Sequence, residues 1–478
     1  MPLSRMSCAI RGLAVVPWVI LVSCAPVSTE TGSVQASGML AGGKEILRAT
    51  IRATTVSAIR QPVTTVKLGL TNLWNRPREI LTGNFELDPS LRQPLAEAPG
   101  TPEFEALLDR RKFPHAASGS LEWLVDGPGF FPELDRQIAA ASQSIHCQVF
   151  IFDNDDIAVR YADRLKARAG EVKVRVLFDD LGSTFAANSA PETHGPVGFV
   201  PPDDMEDYLE KGSNVRARRI LNPWFSCDHT KLLVFDNRTA ILGGMNIGRE
   251  YYSEWHDLMV KVDGPVVAQL SREFNRAWRK AGALGDFGLF RTPQALRRHK
   301  PVTGGIPLRV LRTDPAEGRH EVLEASLLAI RGAKKRVWIE NPYFAHDDIA
   351  VACEAAARRG VDVRVIIPAR GDSSIMDIGN LSTAYGLIQA GAKVFSYPGM
   401  THMKVMICDD WASMGSANLD TLSMRINREL NLGFSHPAAV RKLADKVFTP
   451  DFSRSRRLRV EETRSASADL AEMIADQL

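Results

Sequence analysis

The chain has 478 residues, of which 45% are hydrophobic and 24% charged, and its formal net charge is +3. These values exclude a disordered, collagenous or multi-span membrane chain, and the length predicts roughly two to four domain-sized units. The near-neutral charge gives no basic field for non-specific nucleic-acid binding, so no nucleic-acid partner is expected. Six cysteines are too few for a disulfide scaffold.

The first residues are typical of an export signal. Arg5 and Arg11 are the only charges before Glu30, and residues 13–22 form an apolar stretch. This stretch is too short for a spanning helix, and no later stretch reaches the roughly 18 apolar residues that such a helix needs. The sequence LVSC at residues 21–24 resembles a bacterial lipobox. That resemblance implies removal of residues 1–23 as a lipoprotein-type signal peptide.

By the same resemblance, Cys24 would be lipidated and become the mature N-terminus; plain cleavage near Ser23 is the alternative. Lipid chains hold a protein at a membrane surface without spanning it, since each buried methylene contributes about 0.8 kcal/mol. We therefore expect a bacterial cell-envelope protein, lipid-anchored at the outer membrane and facing the periplasm, or else a secreted or periplasmic protein. Loss of the signal would lower the net charge from +3 to +1. Four further cysteines lack CxxC spacing and are expected to be buried small hydrophobes: Cys147, Cys227, Cys353 and Cys408.

An internal repeat organises most of the remaining chain. The sequence DDIAV at residues 155–159 recurs unchanged at residues 347–351, and each copy opens a helical pattern. Strand-like runs flank each helix, at residues 145–152 and 172–176 in the first copy and at residues 336–340 and 361–365 in the second. Strand, helix and strand in this order form a βαβ unit. The predicted fold class is therefore α/β, with two pseudo-symmetric βαβ-rich repeats, each a mixed sheet flanked by helices.

The repeats suggest a division of the chain into five parts. These are the signal peptide at residues 1–23, an unassigned N-terminal segment at 24–117, repeat 1 at 118–303, repeat 2 at 304–452, and a basic C-terminal tail at 453–478. Apolar spacing over residues 46–81 predicts helices, and the first copy carries extra residues that are expected to form a surface loop over 185–205. The basic run RSRRLR at residues 454–459 is expected to be solvated, with contact to anionic lipid head groups as the alternative.

Each repeat ends with the same constellation of polar residues. HTKLLVFD at residues 229–236 is followed by GGMN at 243–246, and HMKVMICD at 402–409 is followed by GSAN at 415–418. Because side chains alternate along a strand, the histidine and the lysine two residues later point to the same face. A second apolar run then returns glycine and asparagine to the histidine, and the glycines are expected to permit close approach of the backbone to a ligand.

These residue types suit chemistry on a phosphodiester. Histidine can attack phosphorus or donate a proton near neutral pH, and lysine and asparagine can hold the non-bridging oxygens. Displacement at phosphorus needs both a nucleophile and an acid, which two facing copies supply. The candidate residues are His229, Lys231, Asn246, His402, Lys404 and Asn418.

The doubled HxKx4D motif with its trailing GxxN closely resembles that of the phospholipase D superfamily, over roughly residues 119–450. The resemblance implies that the two repeats pack into one phospholipase D-like body about a pseudo-two-fold axis, with the active site at the seam and without a metal or cofactor. By motif position it implies that His229 forms a phosphohistidine and that His402 protonates the leaving alcohol, although the reverse assignment stays open.

The same resemblance extends to four acidic residues. Asp257 and Glu429 match the positions that orient the opposing imidazoles, whereas Asp236 and Asp409 would be mainly structural. Another histidine, His256, lies beside Asp257 but would face away from it on a strand, so a packing or surface role is expected.

Further matches indicate one branch of the superfamily. GGMNIGREY at residues 243–251, WHD at 255–257, GPVV at 264–267 and NPYF at 341–344 resemble bacterial cardiolipin synthases. The implied function is a phosphatidyl transferase that makes a cardiolipin-type phospholipid from phosphatidylglycerol. Hydrolysis of phospholipid to phosphatidic acid by the same site is the alternative, followed by a nuclease and by a non-catalytic lipid-binding protein. The expected partners are a phospholipid substrate and, through the lipid anchor, a membrane surface; the sequence indicates no protein partner.

Overall fold

The computed structural model describes residues 48–49, 51–53, 55–81, 88–189, 193, 195–290 and 303–463. The predicted signal, the lipobox and Cys24 lie outside these residues, as does the end of the predicted tail. Among the helices that the structure describes, none combines the length and the apolarity that crossing a membrane requires.

Seventeen strands are present in the described part of the chain. In chain order they are β1 (Ala117–Gly119), β2 (Glu122–Val125), β3 (Ser144–Val149), β4 (Lys173–Asp179), β5 (Arg216–Ile220), β6 (Leu232–Phe235), β7 (Thr239–Gly243), β8 (Leu258–Asp263), β9 (Ile306–Asp314), β10 (Arg319–His320), β11 (Arg336–Glu340), β12 (Asp362–Pro368), β13 (Lys393–Tyr397), β14 (Val405–Cys408), β15 (Trp411–Gly415), β16 (Glu429–Ser435) and β17 (Arg456–Arg457).

The α-helices with defined bounds follow the same order. They are α1 (Pro62–Leu81), α2 (Pro102–Arg110), α3 (Asp126–Ala140), α4 (Asp156–Arg168), α5 (Asp180–Ala187), α6 (Met205–Glu210), α7 (Val266–Lys280), α8 (Glu321–Gly332), α9 (Asp347–Arg358), α10 (Ser374–Gln389), α11 (Pro437–Leu443) and α12 (Thr449–Arg454). The two DDIAV copies begin α4 and α9, as predicted, and Asp155 caps α4 by accepting a hydrogen bond from the Ala158 N–H.

Two mixed sheets form the framework, and their strand orders are equivalent. The first sheet runs β2-β8-β7-β6-β3-β4-β5, and the second contains β9-β16-β15-β14-β11-β12-β13 in the corresponding places. In each sheet three strands pair in parallel through helical crossovers, and the later strands add as an antiparallel meander. This arrangement confirms the predicted α/β fold with two pseudo-symmetric repeats.

The two sheets pack against each other as one body. The apolar cluster between them includes Leu232 and Val260 from the first sheet and Val405 and Ile407 from the second. Two further clusters fill the space between each sheet and its own outer helices. Because the central cluster belongs to both repeats, neither sheet can bury its inner face alone.

Some predicted boundaries do not match the divisions of the folded chain. Strand β1 starts beside the predicted beginning of repeat 1 at residue 118 but pairs with β9 of the second sheet. Strand β17, from the predicted basic tail, pairs with β13, and Leu458 after it is buried. The loop predicted over residues 185–205 begins inside helix α5, which continues to Ala187, and it connects β4 to β5 by way of α6.

Candidate active site

The candidate histidines lie where the repeats meet along their backbones. Asp228 bridges Arg428 in parallel fashion, and Thr401 bridges His256 in the same way. The His229 N–H donates to the Arg428 carbonyl at 2.9 Å, and the His402 N–H donates to the His256 carbonyl at 2.7 Å. This register sets His229 beside Glu429, the residue after Arg428. It likewise sets His402 beside Asp257, the residue after His256.

Each imidazole is therefore held by a carboxylate from the opposite repeat. His229 Nδ1 lies 3.0 Å from Glu429 Oε1, and His402 Nδ1 lies 2.7 Å from Asp257 Oδ2. All four side chains are buried. A carboxylate at Nδ1 fixes the ring orientation and the tautomer, so Nε2 is the nitrogen left for a reacting atom. The geometry thus places the predicted acidic residues on the imidazoles that the resemblance implies.

The two lysines lie beside the histidines, although all four residues precede strands β6 and β14 and are not part of them. Lys231 Nζ donates to the His229 carbonyl at 2.8 Å, and Lys404 Nζ donates to the His402 carbonyl at 2.6 Å. Burial lowers the pKa of Lys231 well below its usual value and that of Lys404 to about 8. The charge of Lys404 contributes to the lowered pKa of Lys231, so the two buried amines lie close together and favour an anionic ligand between them.

Burial also shifts the imidazoles and the carboxylates. It lowers the pKa of both His229 and His402 well below the usual value, and the nearby lysines add to the effect. It raises the pKa of Asp257 to about 7 and that of Glu429 to about 8. Neutral imidazole is the form that can attack phosphorus, and a carboxyl group with a raised pKa can keep a proton within the pair near neutral pH.

The two asparagines differ in their surroundings. Asn246 Nδ2 donates to Tyr251 Oη at 2.8 Å, and its Oδ1 accepts from the Ile151 N–H at 2.9 Å. Asn418 forms a hydrogen bond with Asp420, while its buried Oδ1 has no hydrogen-bond partner in the described part of the chain. The carboxamide of Asn246 is therefore largely occupied by the protein, whereas Asn418 has an oxygen free for a donor group.

The two glycines of GGMN lie against the neighbouring strand. A side chain at Gly244 would collide with the Asp257 carboxylate, with Cβ only 2.2 Å from Oδ1, and Gly243 lies equally close to the Leu258 carbonyl. These residues must be small because the neighbouring strand and its carboxylate pass there, and close approach of the backbone to a ligand stays a prediction. In the second repeat Ser416 stands where Gly244 does, and its hydroxyl donates to Glu429.

The remaining predicted acidic residues, Asp236 and Asp409, lie away from the histidines, at the far ends of β6 and β14. Asp409 accepts hydrogen bonds from the backbone N–H groups of Lys334, Lys335 and Arg336 at 2.8–3.0 Å. Asp236 accepts from three consecutive N–H groups in the same way, at residues 142–144. Both aspartates have left-handed backbone dihedrals, with φ of 54° and 51°. Each aspartate thus connects the turn after its own strand to the start of the neighbouring strand in the sheet, β3 in the first repeat and β11 in the second.

Several residues at the site carried no individual signal in the sequence. Phe150 packs edge-on against His229 at 4.8 Å between ring centroids, and Trp255 and Tyr251 pack against His402 at 5.1 and 5.5 Å. A single-turn π-helix follows each asparagine, at Glu250–Glu254 and Leu422–Ile426, and the first of these carries Tyr251. Tyr251 and Trp255 belong to the run of aromatic residues after GGMN. That run lies inside the sequence that supports the resemblance, so it could have indicated an aromatic wall beside His402.

His256 lies outside the constellation, as predicted, and so does His146. His256 directs its ring away from Asp257, with Nδ1 2.7 Å from Asp126 Oδ1 and Nε2 3.1 Å from Asp451 Oδ2. His146 is buried in the core and stacks on Phe274.

Comparisons with known proteins agree with this geometry. A family described as "Cardiolipin synthase, PLD-like domain" matches residues 134–278 and 327–449. Cardiolipin synthase A of Pseudomonas putida (strain W619) is 30% identical over 410 residues, which cover 81% of this chain and 80% of that protein. A probable cardiolipin synthase of Bacillus subtilis (strain 168) is 30% identical over 355 residues, which cover 71% of this chain and 67% of that protein.

A solved structure shares the fold. The phosphatidylserine synthase of Haemophilus influenzae Rd KW20 superposes with a TM-score of 0.60 at 12% sequence identity, covering 79% of this chain and 100% of that one. At this level of identity the likeness concerns the fold alone.

Proposed function

The chain belongs to the phospholipase D superfamily, in its cardiolipin synthase-like branch, and from this we propose that it transfers a phosphatidyl group between two phosphatidylglycerol molecules. The products would be a cardiolipin-type phospholipid and glycerol. The observation that carries the proposal is the crossed pairing of two imidazoles with carboxylates from opposite repeats. This arrangement supplies a nucleophile and an acid at one seam.

In the first half of the proposed reaction, His229 Nε2 attacks the phosphorus of one phosphatidylglycerol. A P–N bond forms and the P–O bond to the head-group glycerol breaks. His402 must enter this step protonated on both ring nitrogens, with Asp257 at Nδ1, and it gives the Nε2 proton to the departing glycerol oxygen. Lys231 and Lys404 would hold the non-bridging oxygens, and the remaining Nδ2 hydrogens of Asn246 and Asn418 would be neutral donors to them. The product of this half is a phosphohistidine at residue 229 and free glycerol.

In the second half, the hydroxyl of another phosphatidylglycerol replaces glycerol. His402 takes the proton from that hydroxyl, the oxygen attacks phosphorus, and the P–N bond breaks to release His229. Glu429 and Asp257 would act as positioning residues, because each stabilises the imidazolium that forms on its partner ring. If water takes the place of the second lipid, the same steps release phosphatidic acid, which is the alternative function.

The test is an incubation of purified protein with phosphatidylglycerol in excess EDTA, followed by mass spectrometry of the lipids. Cardiolipin with glycerol is expected, because no step of the proposed transfer uses a metal. Phosphatidic acid without cardiolipin would support hydrolysis instead, and unchanged lipid would contradict both enzymatic functions.

The His229→Ala and His402→Ala variants separate the two roles. Both should lose cardiolipin formation by at least about a thousandfold, since removal of a nucleophile or its partner acid commonly costs that much. His402→Ala should still accumulate the phosphorylated His229 peptide, whereas His229→Ala should give no phosphopeptide. A phosphopeptide at residue 402 alone would reverse the assignment.

The proposed location is the bacterial cell envelope, with lipid chains on Cys24 holding the protein at a membrane surface. The lipobox-like LVSC supports this, together with a substrate that itself resides in a bilayer.

A further inference from the structure

A helical segment near the N-terminus has its polar side against the protein and its apolar side outward. Four polar side chains are buried beneath it: Ser57, Gln61, Thr64 and Asn72. On the opposite side, large apolar side chains are about half to four-fifths exposed: Ile51, Ile59, Val63, Val66 and Leu70. We call this second set the apolar face. A surface helix of a soluble protein normally has the reverse arrangement.

Hydrogen bonds to the body hold the segment in this orientation. Gln61 Nε2 donates to the Lys280 carbonyl at 3.0 Å, and the Thr64 N–H donates to Asp286 Oδ2 at 2.9 Å. The Thr64 hydroxyl donates to the other oxygen of the same carboxylate. Rotation of the helix to bury the apolar face would break these buried bonds, which is costly. The exposure of the apolar face is therefore built into the fold.

The charges around the apolar face have one sign. Arg60 and Lys67 are exposed beside it, and the chain carries no acidic residue between Glu45 and Glu79. A contiguous apolar surface bordered by basic side chains is complementary to a bilayer that contains anionic lipid.

The segment also contacts the stretch of chain that precedes His229. Asn72 Nδ2 donates to Ser226 Oγ at 3.3 Å, and Ser226 lies three residues before His229. A small crevice lies between helix α1 and the same chain segment, with Thr64 and Leu68 on one side and Asp228 on the other. A bilayer against the apolar face would therefore lie next to the seam between the repeats.

We propose that the apolar face inserts into the interfacial region of an anionic phospholipid bilayer and thereby brings the seam to its lipid substrate. This inference rests on the proposed function for its choice of occupant, because a phospholipid substrate is delivered by a bilayer. It concerns a surface that is separate from the lipid anchor predicted at Cys24.

The first test measures depth at single positions. An environment-sensitive fluorophore is attached to Val66→Cys in a full-length chain whose Cys8, Cys24 and Cys227 are serine, so that neither an anchor nor another accessible thiol interferes. Vesicles of phosphatidylglycerol and phosphatidylcholine in equal parts carry brominated acyl chains. We expect the probe at residue 66 to be quenched severalfold more than a matched probe at Val200→Cys, an exposed apolar position in the 195–204 loop. Equal quenching at both positions would overturn the proposal.

The second test measures affinity. The double variant Val66→Ser with Leu70→Ser should weaken partition into the same vesicles by about tenfold or more, because two apolar side chains no longer leave water. The matched control, Val197→Ser with Val200→Ser, should leave partition unchanged. Unchanged affinity of the first variant, or an equal loss in the control, would contradict the proposal. If instead light scattering shows that the first variant dissociates a dimer while its vesicle affinity is unchanged, the face binds a second copy of the chain and the proposal fails.

A third measurement separates this proposal from the proposed function. Turnover of short-chain phosphatidylglycerol, dispersed as monomers below its micellar concentration, should be the same in the Val66→Ser/Leu70→Ser variant and in the unmodified protein. Site-specific quenching without turnover of any phosphatidylglycerol would leave the apolar face standing and remove the proposed function. Turnover without preferential quenching at residue 66 would do the opposite.

Discussion

Arg428 precedes Glu429, and His256 precedes Asp257. Each of these two residues binds carboxylates next to the candidate site. Arg428 Nη1 lies 2.5 Å from Asp228 Oδ2 and Arg428 Nε lies 3.4 Å from Asp314 Oδ2, at the end of β9. In the first repeat His256 binds Asp126, at the corresponding end of β2. His256 thus replaces an arginine in the pseudo-symmetric arrangement, and we expect it to be charged. This role explains why His256 is buried between two carboxylates, Asp126 and Asp451, and does not contact the ring of either candidate histidine.

The charge on His256 leads to a pH-dependent contribution to stability. Burial alone would lower the pKa of His256, but the hydrogen bonds to Asp126 and Asp451 outweigh it and raise the pKa to about 10. Because the folded pKa lies above the unfolded value of about 6.5, the contribution is complete below pH 6.5 and is lost as the pH rises toward 10. We expect the free energy of unfolding of the unmodified protein to fall relative to that of His256→Arg over this range, by on the order of a few kcal/mol. Urea unfolding at a series of pH values measures the difference.

The control uses another buried histidine, His146. Burial lowers the pKa of His146 to about 3, so this side chain is neutral when folded and, above about pH 7.5, also when unfolded. The difference between the unmodified protein and His146→Phe should therefore be flat from pH 7.5 to 10. A flat difference for His256→Arg as well would show that His256 is not the charged counterpart of Arg428.

At the level of secondary structure, the last residue of each HxKx4D motif closes a connection between strands. Asp236 and Asp409 follow β6 and β14, adopt left-handed dihedrals, and accept hydrogen bonds from the N–H groups that precede β3 and β11. One carboxylate thereby satisfies donors that would otherwise be orphaned at the start of a central strand. The motif thus combines two functions, with its first residues at the seam and its last residue in the framework.

Removal of the Asp409 carboxylate should therefore reduce stability rather than chemistry. We expect Asp409→Ala to lower the free energy of unfolding by about 2–4 kcal/mol, because three backbone N–H groups lose their acceptor. The kcat of the fraction that remains folded should stay within about threefold of the unmodified value. Denaturant titration together with active-site-normalised kinetics gives both quantities. Asp410→Ala, which removes the half-buried neighbouring carboxylate, is the control, and a destabilisation no larger than the control's would exclude the framework role.

The helix over residues 62–81 shows that apolar spacing can predict a helix without predicting which side of it is buried. Apolar spacing predicts helices over residues 46–81, and α1 (Pro62–Leu81) lies within them. The same spacing would ordinarily place the apolar side in the core, but Val63, Val66 and Leu70 are exposed while Thr64 and Asn72 are buried. Periodicity identifies a helix from the angle between like residues, whereas the choice of the buried side depends on partners distant in sequence, here Lys280 and Asp286.

Considered as a whole molecule, the two repeats form a single catalytic body. Each candidate histidine obtains its carboxylate from the opposite repeat, and the central apolar cluster contains strands from both sheets. A separate repeat would lack both the buried face of its sheet and the partner of its imidazole. The length of the chain therefore reflects duplication within one enzyme rather than several independent domains.

The position of the whole molecule at a membrane gives a prediction for the proposed anchor. Cys24→Ser should move most of the protein from the membrane fraction to the soluble fraction when cells are lysed in high salt, because a single helix face is a reversible attachment. Ser23→Ala, a substitution next to the lipidated position that keeps a small residue there, is the matched control. Full membrane retention of Cys24→Ser would count against lipidation and leave the apolar face as the main attachment.

Much of the candidate site can be predicted from local sequence. The spacing within the motif predicts that His229 lies with Lys231 and His402 with Lys404, and the repeated motif predicts two equivalent sheets, because both depend on residues close together in the chain. The contacts of Phe150 with His229 and of Trp255 with His402 could not be predicted in this way. Those contacts join segments about 80 to 150 residues apart, so no local pattern contains them.

Two features depended on the folded chain. The pairing of His229 with Glu429 and of His402 with Asp257 arises from bridges between the repeats, which set the register of one repeat against the other. The outward direction of the apolar face arises from buried hydrogen bonds that α1 makes with a distant turn. Residue types and their spacing establish the fold class and the chemical groups, since those follow from backbone geometry. Which groups meet, and which surface stays exposed, depends on packing between distant segments, because only that packing decides where each polar group finds its partner.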